Sequence, residues 1–119
     1  MISNRLVIDY LQDMIDAARK ALQFTAGIDF ESFQHNDEKI FAVIRAIEVI
    51  GEAAKQIPPS IRKQYPHIEW KAIAEMRDKL IHDYAEVRVK QVWLTVRQDL
   101  PSLITDVGKI LDHIKNHHT

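Results

Sequence analysis

Cysteine is absent from these 119 residues, so no disulfide framework, thiolate zinc site or cysteine nucleophile can form. Glycine and proline are scarce, at three and four residues, too few for the many turns of an all-β fold. No stretch approaches the roughly 20 apolar residues that span a bilayer. The opening segment MISNRLVIDYLQDM lacks a cationic start followed by an apolar run and a cleavage site. It is therefore not expected to be a signal peptide, and a cytoplasmic protein is the expectation. An excess of one charge is missing too: sixteen Lys+Arg stand against seventeen Asp+Glu, a formal net charge of −1, with a pI near 6.6. A chain that holds nucleic acid through a general basic field shows that field in its composition. Any such grip here has to come from a local site or from an assembled oligomer.

What is present is ordinary material for one globular domain of 13.8 kDa, with 46% hydrophobic and 28% charged residues, enough to bury a single core. The apolar residues recur at helical spacing. Val7, Tyr10, Leu11, Met14, Ala18, Ala21 and Leu22 predict a helix over residues 4–25, stopped by Gly27, which tolerates a left-handed backbone. Asp29 can cap a short turn through Phe33. A second helix begins near Asn36 or Asp37 and carries Ile40, Val43, Ile44, Ile47, Ile50, Ala54 and Ile57 until Pro58-Pro59 ends it. Gly51 sits inside that helix at a cost of about 1 kcal/mol relative to alanine, which points to close approach of another helix. One short turn is expected over residues 60–65. A third main helix over residues 69–84 is expected to bury a stripe of Ile73, Met76, Leu80 and Tyr84. A last run over residues 87–116 repeats Val89, Val92, Trp93, Val96, Leu100, Leu103, Val107, Ile110, Leu111 and Ile114, with a kink or break expected at Pro101. The fold class expected is all-α, an antiparallel bundle of four to five helices.

One stretch concentrates chemistry: Met76-Arg77-Asp78-Lys79-Leu80-Ile81-His82-Asp83-Tyr84. It offers a fixed cation, a carboxylate, an imidazole and a phenol. Histidine alone takes and gives a proton near neutrality with an unperturbed pKa of about 6.5, and arginine presents a planar fork of donors suited to phosphate. Asp78 stands four residues before His82, within reach of its ring on a helix. Arg77 and Tyr84 are seven apart and return to nearly the same face. Arg77 and His82 are separated by roughly 140° at ~100° per residue. Either the two flank one groove, or a second copy of the chain completes the site. Considered as residues alone, the pattern is equally compatible with a surface ion-pair ladder.

The stretch MRDKLIHDY resembles the signature of HEPN-domain toxins, and of the HepT subgroup in particular: arginine, a polar residue that is often asparagine, three further residues, histidine, any residue, tyrosine. AVIRAIEVIGEAAKQIP, YPHIEWKAIAEMRDKLIHDY and VWLTVRQDLPSL are similar to successive blocks of that family, so the likeness runs from about Tyr10 to Leu111. The resemblance implies the toxin of a type VII-like toxin–antitoxin pair, a metal-independent endoribonuclease without a cofactor. It implies phosphate binding and transition-state stabilisation by Arg77, proton transfer by His82 and a supporting role for Asp78. It also implies that Tyr84 accepts AMP from an MntA-type nucleotidyltransferase antitoxin. RNA is the implied substrate, and the implied assembly is a homodimer or higher even oligomer that brings two motifs across a cleft, with no membrane partner. The sequence departs from the family at two points. Asp78 stands where asparagine is common, adding negative charge, and Ala85-Glu86 replaces the aromatic and glycine that often follow the tyrosine.

Other candidates point to structure. His113 and His117 are four apart, but no third ligand is spaced to join them, and cationic groups in a last turn favourably meet the helix dipole. His35 and His67 fall in connectors and are expected to be solvated. Trp70 and Trp93 are expected as core or interface anchors. Near the motif, Arg77, Lys79, Arg88 and Lys90 balance Glu75, Asp78, Asp83 and Glu86, so there is no basic funnel. Two other functions remain open on the residues: a non-catalytic substrate-binding subunit of a minimal nucleotidyltransferase, and an oligomeric helical scaffold.

Overall fold

A computed structural model describes residues 4–83 and 89–117, with side chains over residues 6–78 and 89–117. Helix α1 spans Asn4–Thr25, α2 Phe30–Gln34, α3 Asp37–Lys55, α4 Pro59–Gln64, α5 Trp70–Asp83, α6 Val89–Leu94 and α7 Leu100–Asn116, with one π-helical stretch over Thr95–Asp99. No strand occurs among the described residues, and no helix is long and apolar enough to cross a membrane. The all-α expectation holds, as four long helical rods joined by short ones.

Helix α3 packs against both α1 and α5, and α7 packs against α1. The interior follows from periodicity. Leu11, Met14, Ala18 and Ala21 of α1 are buried with Val43, Ile47, Ile50 and Ala54 of α3 and with Leu100, Val107 and Ile110 of α7. Each fully buried Leu, Ile or Val contributes about 1.5–3 kcal/mol.

Polar atoms set the element ends. Gly27 takes φ 74°, the left-handed conformation that ends α1 without a Cβ penalty. The carbonyls freed at that end are capped by side chains from distant segments, as unpaired helix ends require. Lys39 Nζ donates to Phe24 O at 3.0 Å, and Arg97 donates to Thr25 O while lying 4.5 Å over the Trp93 ring. Trp93 in turn packs on Phe33 at 5.2 Å between ring centroids, so it is an anchor of the bundle. Asp29 accepts from Ser32 N at 2.8 Å and caps α2. The hydrogen bonds from Ser32, backbone first, hold the Asp29 carboxyl below its ordinary pKa. Asn36 accepts from Lys39 N at 3.1 Å and caps α3. Past α3, Ile57 is still buried, although the helix stops at Lys55. Arg62 closes that end, donating from Nε to Ile57 O at 2.9 Å and from Nη2 to Ala54 O at 3.1 Å.

At Pro101 the run neither breaks nor stops. The five preceding residues, Thr95–Asp99, widen into a π-turn, and Leu100 N–H bonds to Thr95 O. Proline has no N–H and its ring crowds the carbonyl four residues back. Widening the turn just before it accommodates both effects and lets the helix go on.

Candidate active site

Helix α5 is rotated relative to the stripe expected from its sequence. Trp70, Ile73 and Ala74 are buried, and at ~100° per residue Arg77 falls in the middle of their stripe. Met76, expected in the core, is half-buried and lines a groove of about 320 Å³ between α5 and α7, with Ile73, Leu103 and Val107. Over the residues whose side chains are described, the buried stripe is centred roughly 60° from the expected one; Leu80 and Tyr84, also expected in it, lie outside them. A long cation therefore occupies a position that points to α3.

Gly51 makes room for it. A Cβ built on Gly51 would lie 2.9 Å from Arg77 Cβ and 3.4 Å from the carbonyl oxygens of Ile73 and Ala74. The glycine inside α3 thus marks the close approach of α5, at the site residue itself. Alanine at this position gains about 1 kcal/mol of helix propensity but forces backbone-near atoms apart, which costs roughly 1–3 kcal/mol. Gly51→Ala is expected to lower unfolding stability by about 1 kcal/mol in urea titration. Gly51→Val is expected to lower it further, and an unchanged midpoint for both would refute the tight contact.

Above this contact the charges alternate. Arg77, its side chain 33% exposed, places Nη1 3.2 Å from Asp78 Oδ1 and Nε 3.6 Å from Glu52 Oε1. Glu52 Oε1 also lies 3.4 Å from Arg45 Nη1. Lys55 Nζ stands 3.4 Å from both oxygens of Asp78. Arg45, Glu52, Arg77, Asp78 and Lys55 form one chain of alternating sign across α3 and α5, with three cations against two carboxylates. The negative charge that aspartate introduces beside Arg77 is thus balanced from α3. Sequence inspection did not single out Glu52, Lys55 or Arg45. They lie on α3, more than twenty residues before the motif, and only the packing of α3 on α5 brings them to it. Pairs this exposed contribute at most about 1 kcal/mol each, so their importance lies in where they hold the guanidinium.

Among the expected site residues, Arg77 and Asp78 are together in this cluster. His82 is on α5, its register roughly 40° from that of Asp78, but its side chain lies outside the described residues. Tyr84 also lies outside them. The α5–α7 groove is on the other side of α5 and carries Glu69, Asp99 and Asp106 on its lining, which repel phosphate. His113 and His117 stack at 4.2 Å, and among the described residues no three His, Asp or Glu groups gather to hold a metal ion. His35 pairs with Glu31 at 3.3 Å on the surface. Trp70 is buried and donates from Nε1 to Tyr65 O at 3.0 Å.

Comparison with known proteins converges on one family. The family model described as HepT-like, Ribonuclease HepT-like, matches residues 14–110. The chain is 48% identical over 95 residues to the protein named Probable ribonuclease HepT of Thermococcus cleftensis, covering 80% of this chain and 86% of the relative. Two Methanocaldococcus jannaschii proteins whose names carry the word RNase are similar over 106 residues each. One is 42% identical, covering 89% of this chain and 91% of the relative. The other is 41% identical, covering 89% and 88%. No solved structure matches the chain.

Proposed function

The chain belongs to the HepT-like ribonuclease family, and from that premise we propose that it is a metal-independent endoribonuclease toxin whose chemistry is carried by Arg77 and His82. The observation that supports this reading most is the placement of Arg77: its Cβ packs against Gly51 of α3, and its guanidinium lies between the carboxylates of Glu52 and Asp78. A surface ion-pair ladder does not need a glycine beneath it.

The reaction is transesterification within RNA. The ribose 2′-oxygen attacks the adjacent phosphorus; the new P–O2′ bond forms as the P–O5′ bond breaks. A neutral imidazole takes the 2′ proton, and the leaving 5′-oxygen must receive one. Two copies of His82, one neutral and one protonated, divide these tasks in a dimer. Arg77 binds the non-bridging oxygens with its planar fork and counters the charge that grows on them. Asp78 supports it as a neighbouring acceptor. A homodimer or higher even oligomer also answers the angular separation of Arg77 and His82 and the near-zero net charge of one chain. Control comes from an MntA-type nucleotidyltransferase antitoxin that transfers AMP to Tyr84, and the working compartment is the cytoplasm.

Purified protein is expected to cut RNA at the same rate in excess EDTA as without it, leaving 2′,3′-cyclic phosphate ends. Light scattering on the same preparation is expected to give twice 13.8 kDa or a higher even multiple. Cleavage lost in EDTA and restored by a divalent ion would overturn metal independence, and an active monomer would overturn the shared cleft.

A further inference from the structure

Arg77 Nε is buried and has no hydrogen-bond partner among the described residues. A buried donor left unpaired costs about 1–3 kcal/mol, so some group is expected to satisfy it when the site works. Glu52 Oε1 lies 3.6 Å from it, slightly beyond hydrogen-bonding distance. That same oxygen is drawn the other way, to Arg45 Nη1 at 3.4 Å. At the far edge of the guanidinium, Asp78 accepts from Nη1 at 3.2 Å and has a second cation, Lys55, waiting at 3.4 Å. The two carboxylates are therefore not equivalent. Asp78 can leave Arg77 for Lys55 without stranding its charge. Glu52 faces an Nε that has no other acceptor among the described residues.

We propose that Glu52 is the positioning residue for Arg77: it closes onto Nε when RNA phosphate displaces Asp78 from Nη1, and so fixes the guanidinium plane toward the substrate. Its chemistry suits the task. A carboxylate on Nε leaves the terminal nitrogens to the phosphate and stops rotation of the fork about the Arg77 side chain. The helix carrying Glu52 is held in place around it. Gly51, the residue before it, sets the α3–α5 distance, and Arg62 pins the end of α3. Arg45 competes for the carboxylate from the solvent side. Lys55 receives Asp78, so the displaced carboxylate does not repel the incoming phosphate. Glu52 touches no reacting atom and acts through Arg77.

This role rests on the ribonuclease reading above, and the test separates the two. Wild-type, Glu52→Gln, Glu52→Asp, Arg45→Gln and Arg77→Lys proteins are assayed on one fluorogenic RNA oligonucleotide of mixed sequence, with arginine Nε–H resonances recorded by proton–nitrogen NMR. Glu52→Gln is expected to lower kcat by roughly 10- to 100-fold with KM little changed, as loss of alignment does. Its unfolding midpoint is expected to stay close to wild type. Glu52→Asp, too short to reach Nε, is expected to behave the same way. In the Arg77→Lys background Glu52→Gln is expected to bring no further loss, because there is no Nε to hold. Arg45→Gln removes the cation that competes for Glu52 and is expected to raise kcat, whereas a fall in kcat would overturn the positioning role. The Arg77 Nε–H resonance is expected in wild type and lost or shifted in Glu52→Gln. Wild-type kcat in Glu52→Gln, or an unchanged Arg77 resonance, overturns the positioning role while leaving the ribonuclease reading intact. If the wild-type protein cuts no RNA, that reading falls, and the resonance alone decides whether Glu52 orients Arg77.

Discussion

His82→Ala is expected to lower RNA cleavage by roughly 10²- to 10⁴-fold, the contribution of a positioned proton-transfer group, while the protein unfolds at the wild-type temperature. The helix gives the reason for the second half. At ~100° per residue His82 shares the register of Lys71 and Glu75 on α5, and both are exposed. A small residue with high helix propensity is tolerated at such a position. Chemistry gives the reason for the first half. No other side chain within the motif gains and loses a proton near neutral pH, so none replaces it. In cells, expression of the wild-type chain without its antitoxin is expected to arrest growth, and His82→Ala to restore it. Arg77→Lys makes the complementary point. The charge stays but the planar fork is lost, so cleavage should fall without the cavity that alanine would open over Gly51. A folded His82→Ala protein that still cuts RNA at the wild-type rate would remove the histidine from the mechanism. It would also favour the non-catalytic partner subunit that the residues alone leave open.

Local chemistry in the sequence carried most of the fold. The α1 boundaries, the stop at Gly27, the cap at Asp29, the start of α3 near Asn36 and the close approach at Gly51 each depend on one or two residues acting on their own turn, and each appears in the structure. What depends on several segments at once did not show. The phase of α5 is one such case. Ile73 belongs to both the expected and the observed stripe, and the choice between Met76 and Arg77 as its neighbour is made by α3, where Gly51 leaves a space that only the Arg77 side can use. Glu52 and Lys55 are a second case. Within α3 they look like ordinary solvated charges, and nothing in their spacing ties them to a motif more than twenty residues later. The response to Pro101 is a third. A missing N–H and a crowded carbonyl predict trouble there, but the same trouble can be met by a kink, a break or a π-turn, and one turn of sequence does not choose among them. The motif itself was readable as chemistry, though its residues alone did not separate a site from an ion-pair ladder.

Co-expression with an MntA-type nucleotidyltransferase is expected to add AMP to Tyr84 and to reduce RNA cleavage to background. Tyr84 lies outside the described residues; the expectation rests on its spacing of seven from Arg77 in the sequence, because seven residues of an ideal helix return to within roughly 20° of the same face. The adduct carries a phosphodiester anion and a bulky nucleoside. Its phosphate can take the terminal nitrogens of Arg77 in a charge-assisted pair, displacing Asp78 onto Lys55 as an RNA phosphate would. The modified residue then fills the site with a tethered imitation of the substrate, and no concentration of RNA competes well against a tethered group. Intact-mass spectrometry is expected to show increments of one AMP, mapped by peptide analysis to the segment from Lys79 to Arg88. Tyr84→Phe is expected to cut RNA at the wild-type rate and to stay active beside the nucleotidyltransferase. If Tyr84→Phe is still silenced, or inhibition is complete with no adduct, steric binding by the partner controls the enzyme and AMP transfer to this tyrosine does not. The residues that follow, Ala85-Glu86, bear on the outcome as well. Glu86 places a negative charge two residues from the acceptor oxygen, so Glu86→Gln is expected to speed modification and leave cleavage by the unmodified protein unchanged.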